Sequence, residues 1–159
     1  MSYPGLLRYL HILSVLALLT THGVSMFVLY RIRGERDRKR ILDFVTLSGE
    51  TVVPMYISIG AIVVTGLLAG FELQRFGQLW LWVAIALLVL TIVLMVLLAR
   101  PYFTRVKAAC EVRPSGVPRV SDEELAEILG DSTAHVITAI GSVGLLAILY
   151  LMVFKPWVF

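Results

Sequence analysis

Apolar residues are gathered in four long runs along this chain, separated by shorter polar segments. As α-helices, the runs are long enough to cross about 30 Å of hydrocarbon, which needs roughly 20 residues. The strict alternation of polar and apolar residues that marks membrane β-strands is absent from them. The pattern therefore predicts four transmembrane helices. The predicted spans are about 6–31, 43–71, 79–99 and 134–154.

The composition agrees with burial in lipid, because 58% of the residues are hydrophobic and only 16% are charged. Soluble domains average about 45–50% apolar and about 25% charged residues. Within lipid, backbone polar groups must be hydrogen-bonded inside the spanning segment, which favours helices. We therefore expect an all-α fold, a four-helix transmembrane bundle that forms one polytopic membrane domain over residues 1–159. The lipid bilayer is its first partner, and a homo-oligomer or a larger membrane complex is a second expectation.

The charges predict how the bundle is oriented. Eleven of the 14 lysines and arginines lie in residues 31–43 and 100–134. By the positive-inside rule, these two loops are cytoplasmic and both termini lie outside a bacterial inner (plasma) membrane. Beside a span, the basic stretch RIRGERDRKR is a topology signal and a contact for lipid headgroups. We therefore expect no nucleic-acid partner.

One polar segment has a helical pattern of its own. In SDEELAEILG, Ser121 begins a capping-box spacing, S-x-x-E, and Gly130 can end a helix. Between them, Leu125, Ile128 and Leu129 form one apolar stripe. The sequence predicts a short cytoplasmic amphipathic helix before the last span.

The ionisable residues His11, His22 and Glu50 fall inside the predicted spans, and His135 lies near a span end. Such residues are costly in lipid and usually face the bundle interior. His11 and His22 are eleven residues apart, which brings them within roughly 20° of one helix face. Pro54 frees the carbonyl of Glu50 and should kink the second span beside this acid. The depths of His22 and Glu50 are similar and allow the two to pair, whereas His11 lies roughly 16 Å further out.

These residues suggest two kinds of cofactor site. His11 or His22 could be the single axial ligand of haem b. His22 and Glu50, with Met26 or Met55, form the candidate set for a transition metal. The same His22–Glu50 pair could relay protons, or could simply lock the bundle through a hydrogen bond. No nucleophile elbow, phosphate loop, paired cysteine or zinc-binding His-Glu-x-x-His motif is present, so we do not expect an enzyme.

Three stretches resemble known membrane proteins. LRYLHILSVLALL, with His11 early in the first span, VPMYISIGAIVVTGLLAGF and LWLWVAIALLVL resemble spans of the small four-helix proteins of the copper-resistance D type. They also resemble a related group of uncharacterised predicted bacterial integral membrane proteins and, more remotely, the HemJ-type protoporphyrinogen oxidases. The resemblance implies that His11 is a haem b or metal ligand. The third span lacks the lysine of the HemJ-type proteins, so oxidase activity is not implied.

The sequence leaves three functions open. The first is a membrane protein that binds haem b or a transition metal within the bundle. The second is a structural or accessory subunit of a membrane complex. The third is a small proton-coupled transport component. The identity of the cofactor stays open as well.

Overall fold

A computed structural model describes residues 3–156 of the chain. It contains α1 (Tyr3–Arg33), α2 (Arg38–Glu50), α3 (Val52–Glu72), α4 (Leu79–Cys110), α5 (Asp122–Gly130) and α6 (Thr133–Phe154). Four helical segments are long and apolar enough to cross a membrane, namely α1, α2 with α3, α4, and α5 with α6. The all-α prediction of a four-helix transmembrane bundle is confirmed. The predicted domain limits at residues 1 and 159 lie outside the described residues.

The second span is divided into two helices at Thr51, where the sequence predicted one segment over 43–71. Pro54 has no amide hydrogen to donate to the carbonyl of Glu50, so the helical ladder is interrupted there. At this break, the amide and the hydroxyl of Thr51 both donate to the carbonyl of Ser48, at 3.2 Å and 2.8 Å. The predicted kink beside Glu50 is confirmed.

Helices extend beyond the predicted spans at the polar ends. Helix α2 begins at Arg38, because the Asp37 carboxylate caps it by accepting from the amides of Lys39 and Arg40. Helix α4 continues past residue 99 to Cys110. The first polar residues after a span indicate where the hydrocarbon ends. They do not end the helix, because arginine, lysine and alanine are strong helix formers. The connection over residues 100–134 is therefore mostly helical, since α4 enters it in addition to the predicted amphipathic helix.

The predicted amphipathic helix is present as α5. The Ser121 hydroxyl accepts from the amide of Glu124 at 3.1 Å and caps its first turn. The three residues of the predicted apolar stripe are all buried. Helix α5 therefore packs against the bundle with the face that the sequence indicated.

The spanning helices form two pairs. Helix α1 packs along α3, and α4 packs along α6. Within the described residues, α3 makes no close backbone contact with α4 or α6. The pairs join at the end of the bundle that carries residues 31–43 and 100–134, which we call the basic end. A buried core fills it, contributed by α1, α2, α4, α5 and α6.

Two arginines tie the basic end together. Arg33 donates to the carbonyls of Asp131 and Gly130 at 2.8 Å and 3.1 Å. Arg38 donates to the carbonyls of Ala109 and Val120 at 2.8 Å and 2.9 Å. The Arg38 guanidinium also pairs with the Asp122 carboxylate at 2.7 Å. These bonds satisfy carbonyls at the ends of α4 and α5, so the two helix pairs are closed against each other at this end.

Candidate functional site

A cavity of about 790 Å³ lies between the two helix pairs. Ligand pockets in proteins usually measure roughly 300–1,000 Å³, so this volume suits a small molecule or an acyl chain. Most of its wall is apolar, as expected inside a membrane. The polar residues that line it include His22, Ser25, Glu50, Thr91, Arg100 and Lys107.

His22 lies where α1 approaches α6. A Cβ atom placed on Gly141 of α6 would lie 2.7 Å from His22 Nε2, so only glycine permits this approach. Nε2 is buried and has no hydrogen-bond partner in the described residues. Leaving a buried polar atom unpaired costs about 1–3 kcal/mol, so this arrangement calls for an explanation. The Tyr102 hydroxyl is also unpaired, but it lies in the closed core and does not line the cavity.

Two methionine sulfurs lie near this part of α6, one beside Gly141 and the other beside Ser142. Met95 of α4 places its sulfur 3.5 Å from the same Cβ position on Gly141. Met26, one turn from His22 on α1, has its sulfur 3.4 Å from the Ser142 hydroxyl. An imidazole nitrogen and a thioether sulfur therefore converge on one point of α6, with a second thioether nearby. Thioethers favour soft ions such as Cu(I), and imidazole also suits copper.

The expected His22–Glu50 pair is not formed. Both residues line the cavity, but no hydrogen bond or salt bridge joins them in the part of the chain that the structure describes. Instead, Ser48 of α2 faces α1, where its hydroxyl donates to Ser25 at 3.0 Å, and Ser25 lies 3.2 Å from the Thr51 hydroxyl. Glu50 follows Ser48 by two residues, about 200° around the helix, and is exposed.

The Glu50 carboxylate is therefore not in contact with His22 in the described residues. Among the residues the structure describes, no group of three or more His, Cys, Asp or Glu side chains is placed to hold a metal. The side chains near His22 that could bind a metal are therefore thioethers. Sequence reasoning named Met26 but missed Met95 and Gly141. Methionine and glycine are common in membrane helices, so their presence in the sequence does not mark a site. The packing of α4 on α6 is what brings Met95 and Gly141 next to His22.

His11 has a different environment, between α1 and α3 and outside the cavity lining. Its Nδ1 lies 3.1 Å from the Thr65 hydroxyl oxygen, and that hydroxyl donates to the carbonyl of Ala61 at 2.6 Å. The Thr65 hydroxyl proton is already donated to the Ala61 carbonyl, so the hydroxyl oxygen accepts from His11 Nδ1–H. His11 Nε2 is then the ring nitrogen without a proton. Metal-bound histidines are commonly oriented in this way. The structure does not bring His11 and His22 together.

The four spanning segments define a polytopic α-helical membrane protein. The family described as "Predicted integral membrane protein (DUF2269)" matches residues 5–156, and the chain belongs to this family. No curated protein matches the chain, and no solved structure matches it. The resemblances to copper-resistance D proteins and to HemJ-type oxidases stay predictions.

Proposed function

We propose that this protein binds a soft transition-metal ion inside the membrane, with His22 as a ligand. The observation that carries the proposal is the buried Nε2 of His22, which has no protein partner and lies beside the sulfur of Met95 at Gly141. A bound ion would satisfy this nitrogen. It would also explain why an imidazole is held against α6 at the edge of a cavity.

The nature of the ligands favours Cu(I). Imidazole and thioether ligands are neutral, so they offset little of the charge of a divalent ion, and a buried charge is costly without compensation. A monovalent soft ion reduces that cost and prefers sulfur. His22 and Met95 would bind the ion directly, and Met26 is close enough along α1 to take part. Glu50 lines the same cavity, and the sequence predicted a depth for it similar to that of His22.

We assign no porphyrin to His22, because its Nε2 packs closely against Gly141 of α6. The space between this nitrogen and α6 does not admit even a methyl group on Gly141. Haem b is therefore proposed only at His11, as a second candidate. The specific observation is the Thr65 contact, which fixes the His11 tautomer and leaves Nε2 free to bind iron.

The proposal is tested on protein purified in mild detergent from cells supplied with copper and haem. We expect bound copper by elemental analysis, lost in His22→Ala and reduced in Met95→Leu. His135→Ala is the matched control, because His135 is exposed and its ring lies 5.8 Å from that of Tyr30. A haem b spectrum lost in His11→Ala would favour the second candidate. A folded protein with neither copper nor haem would contradict both.

The other functions expected from the sequence remain weaker proposals. A proton relay between His22 and Glu50 lacks a direct contact and would need bridging water. Flux in proteoliposomes that Glu50→Gln abolishes would favour it. An accessory role, or a homo-oligomer, would be supported by a stable complex of defined stoichiometry in mild detergent. The cytoplasmic position of the basic end, in an inner membrane, would be supported by reporters fused to the C-terminus that are active only outside.

A further inference from the structure

Two cations line the cavity toward the basic end. Arg100 and Lys107 are seven residues apart on α4, so they share a helix face about 10 Å apart along the axis. Neither forms a salt bridge or a side-chain hydrogen bond within residues 3–156. Glu50 is the acidic residue that lines the same cavity. The two cations therefore outnumber the one carboxylate of the cavity lining, and neither is paired with it in the described residues.

The cavity has an apolar wall that continues from these cations into the membrane. Met55 and Ile59 line it on α3, and Ile92 and Val96 line it on α4. Since α3 and α4 make no close backbone contact in the described part of the chain, the space between them opens sideways to lipid. We call this space the α3–α4 groove. Its apolar wall and charged mouth together form an amphipathic surface.

The length of the groove matches one leaflet. Arg100 directly follows the uncharged run that ends at residue 99, so it lies at the boundary of the hydrocarbon. Leu88, which lines the far part of the cavity, is twelve residues deeper, or about 18 Å along the helix. Half of a hydrocarbon core of about 30 Å is a similar length. An acyl chain of the leaflet at the basic end would therefore extend along the whole groove.

We propose that the α3–α4 groove binds an anionic phospholipid of the surrounding bilayer. One acyl chain lies between α3 and α4, and the headgroup phosphate is bound by Arg100 and Lys107. The excess positive charge selects an anionic headgroup over a zwitterionic one, because each surface cation contributes to the binding of anionic lipid. This inference does not rest on the proposed metal site, and we expect it to hold for metal-free protein.

The headgroup contact is tested by native mass spectrometry of metal-free protein. The protein is first exchanged into vesicles of phosphatidylcholine with or without phosphatidylglycerol, and the retained lipid is then counted. We expect phosphatidylglycerol to be retained preferentially. The double variant Arg100→Gln/Lys107→Gln should weaken its binding about tenfold or more, since each cation contributes roughly fivefold. The matched control is Arg36→Gln/Lys39→Gln, which removes two exposed cations that do not line the groove.

The acyl-chain contact is tested with a pair of tryptophan variants. Val96 lines the groove and is 39% exposed, whereas Val93 is 47% exposed on the same helix but does not line it. Val96→Trp should fill the groove and reduce retention of phosphatidylglycerol at least as strongly as the charge variants. Val93→Trp should leave it unchanged.

Three results would overturn the proposal. The first is equal retention of phosphatidylcholine and phosphatidylglycerol. The second is an equal loss of binding in the Arg100/Lys107 and Arg36/Lys39 variants. The third is complete displacement of the retained phosphatidylglycerol by inorganic phosphate, because a free anion would then be the ligand of these cations. Loss of copper in His22→Ala with normal lipid retention would separate the two proposals.

Discussion

The basic end and the middle of the bundle are built in opposite ways. At the basic end, Ile32, Ile41 and Val106 have no exposed surface, and arginine side chains satisfy the carbonyls where helices end. In the middle, the helix pairs diverge around a cavity, and a buried histidine nitrogen has no partner. The comparison suggests that the fold is stabilised at one end, which leaves the region around His22 available for binding.

The largest expected effect is on the closed core. Ile32→Ala removes a fully buried side chain and should lower the free energy of unfolding by about 2–5 kcal/mol. Ile12→Ala is the matched control, because Ile12 is on the same helix and is 59% exposed, so it should change stability little. The measurement is reversible unfolding in mixed detergent micelles. Equal losses in the two variants would contradict the division between a packed end and an open middle.

The next effect is at the contact between the two pairs. Gly141→Ala would place a methyl group against the His22 ring, so we expect a loss of about 1–3 kcal/mol through overpacking. Gly60→Ala is the control, since a Cβ atom there meets nothing within 4 Å, and alanine has the higher helix propensity. Unfolding of the two variants checks this. If Gly141→Ala matched Gly60→Ala in stability, His22 would not lie against α6.

A smaller effect is expected within the α1–α3 pair. Thr65→Val keeps the shape of the side chain but removes the hydroxyl that accepts from His11. Hydrogen bonds between membrane helices average about 0.6 kcal/mol, so the variant should lose roughly that much stability. Thr20→Val is the control, because Thr20 is exposed and its hydroxyl bonds only within its own helix. A loss several times larger would mean that His11 holds the pair together by more than this one bond.

The smallest effect is in the loop before α2 and depends on pH. The amides of Arg36 and Asp37 donate to the Glu35 carboxylate at 3.0 Å and 3.3 Å and lower the pKa of Glu35. A lowered pKa in the folded state stabilises the fold above the unfolded pKa of about 4.3. This stabilisation is lost as the pH falls through the folded value. Wild type should therefore exceed Glu35→Gln in stability at neutral pH, with the difference vanishing in acid.

Unfolding curves between neutral and acidic pH measure this difference. Glu127→Gln is the control for loss of one exposed negative charge, because Glu127 makes no salt bridge within the described residues. A Glu35→Gln variant that stays equal to wild type at neutral pH would show that the negative charge of Glu35 contributes nothing to stability.

The sequence was sufficient to predict the number of spans, the kink near Pro54 and the capped helix that follows Ser121. Each of these depends on local physics, namely the thickness of the bilayer, a missing amide and a side-chain cap. It did not predict the partner of His22. Depth along the axis suggested Glu50, but the direction of a side chain depends on which helices pack together. Pairing of α1 with α3 and of α4 with α6 is a tertiary property that apolar runs do not encode.

Spectra of ¹⁵N-histidine in detergent micelles, recorded during titration with Cu(I), test the role of His22 most directly. Resonances of all three histidines can be followed in one sample, because each imidazole has a different environment. We predict that the Nε2 resonance of His22 shifts on binding, that His135 does not respond, and that His11 keeps its proton on Nδ1. The shift should disappear in Met95→Leu or require more copper. A His22 signal that copper leaves unchanged, or one that moves no more than that of His135, would contradict metal binding at the junction of the two helix pairs.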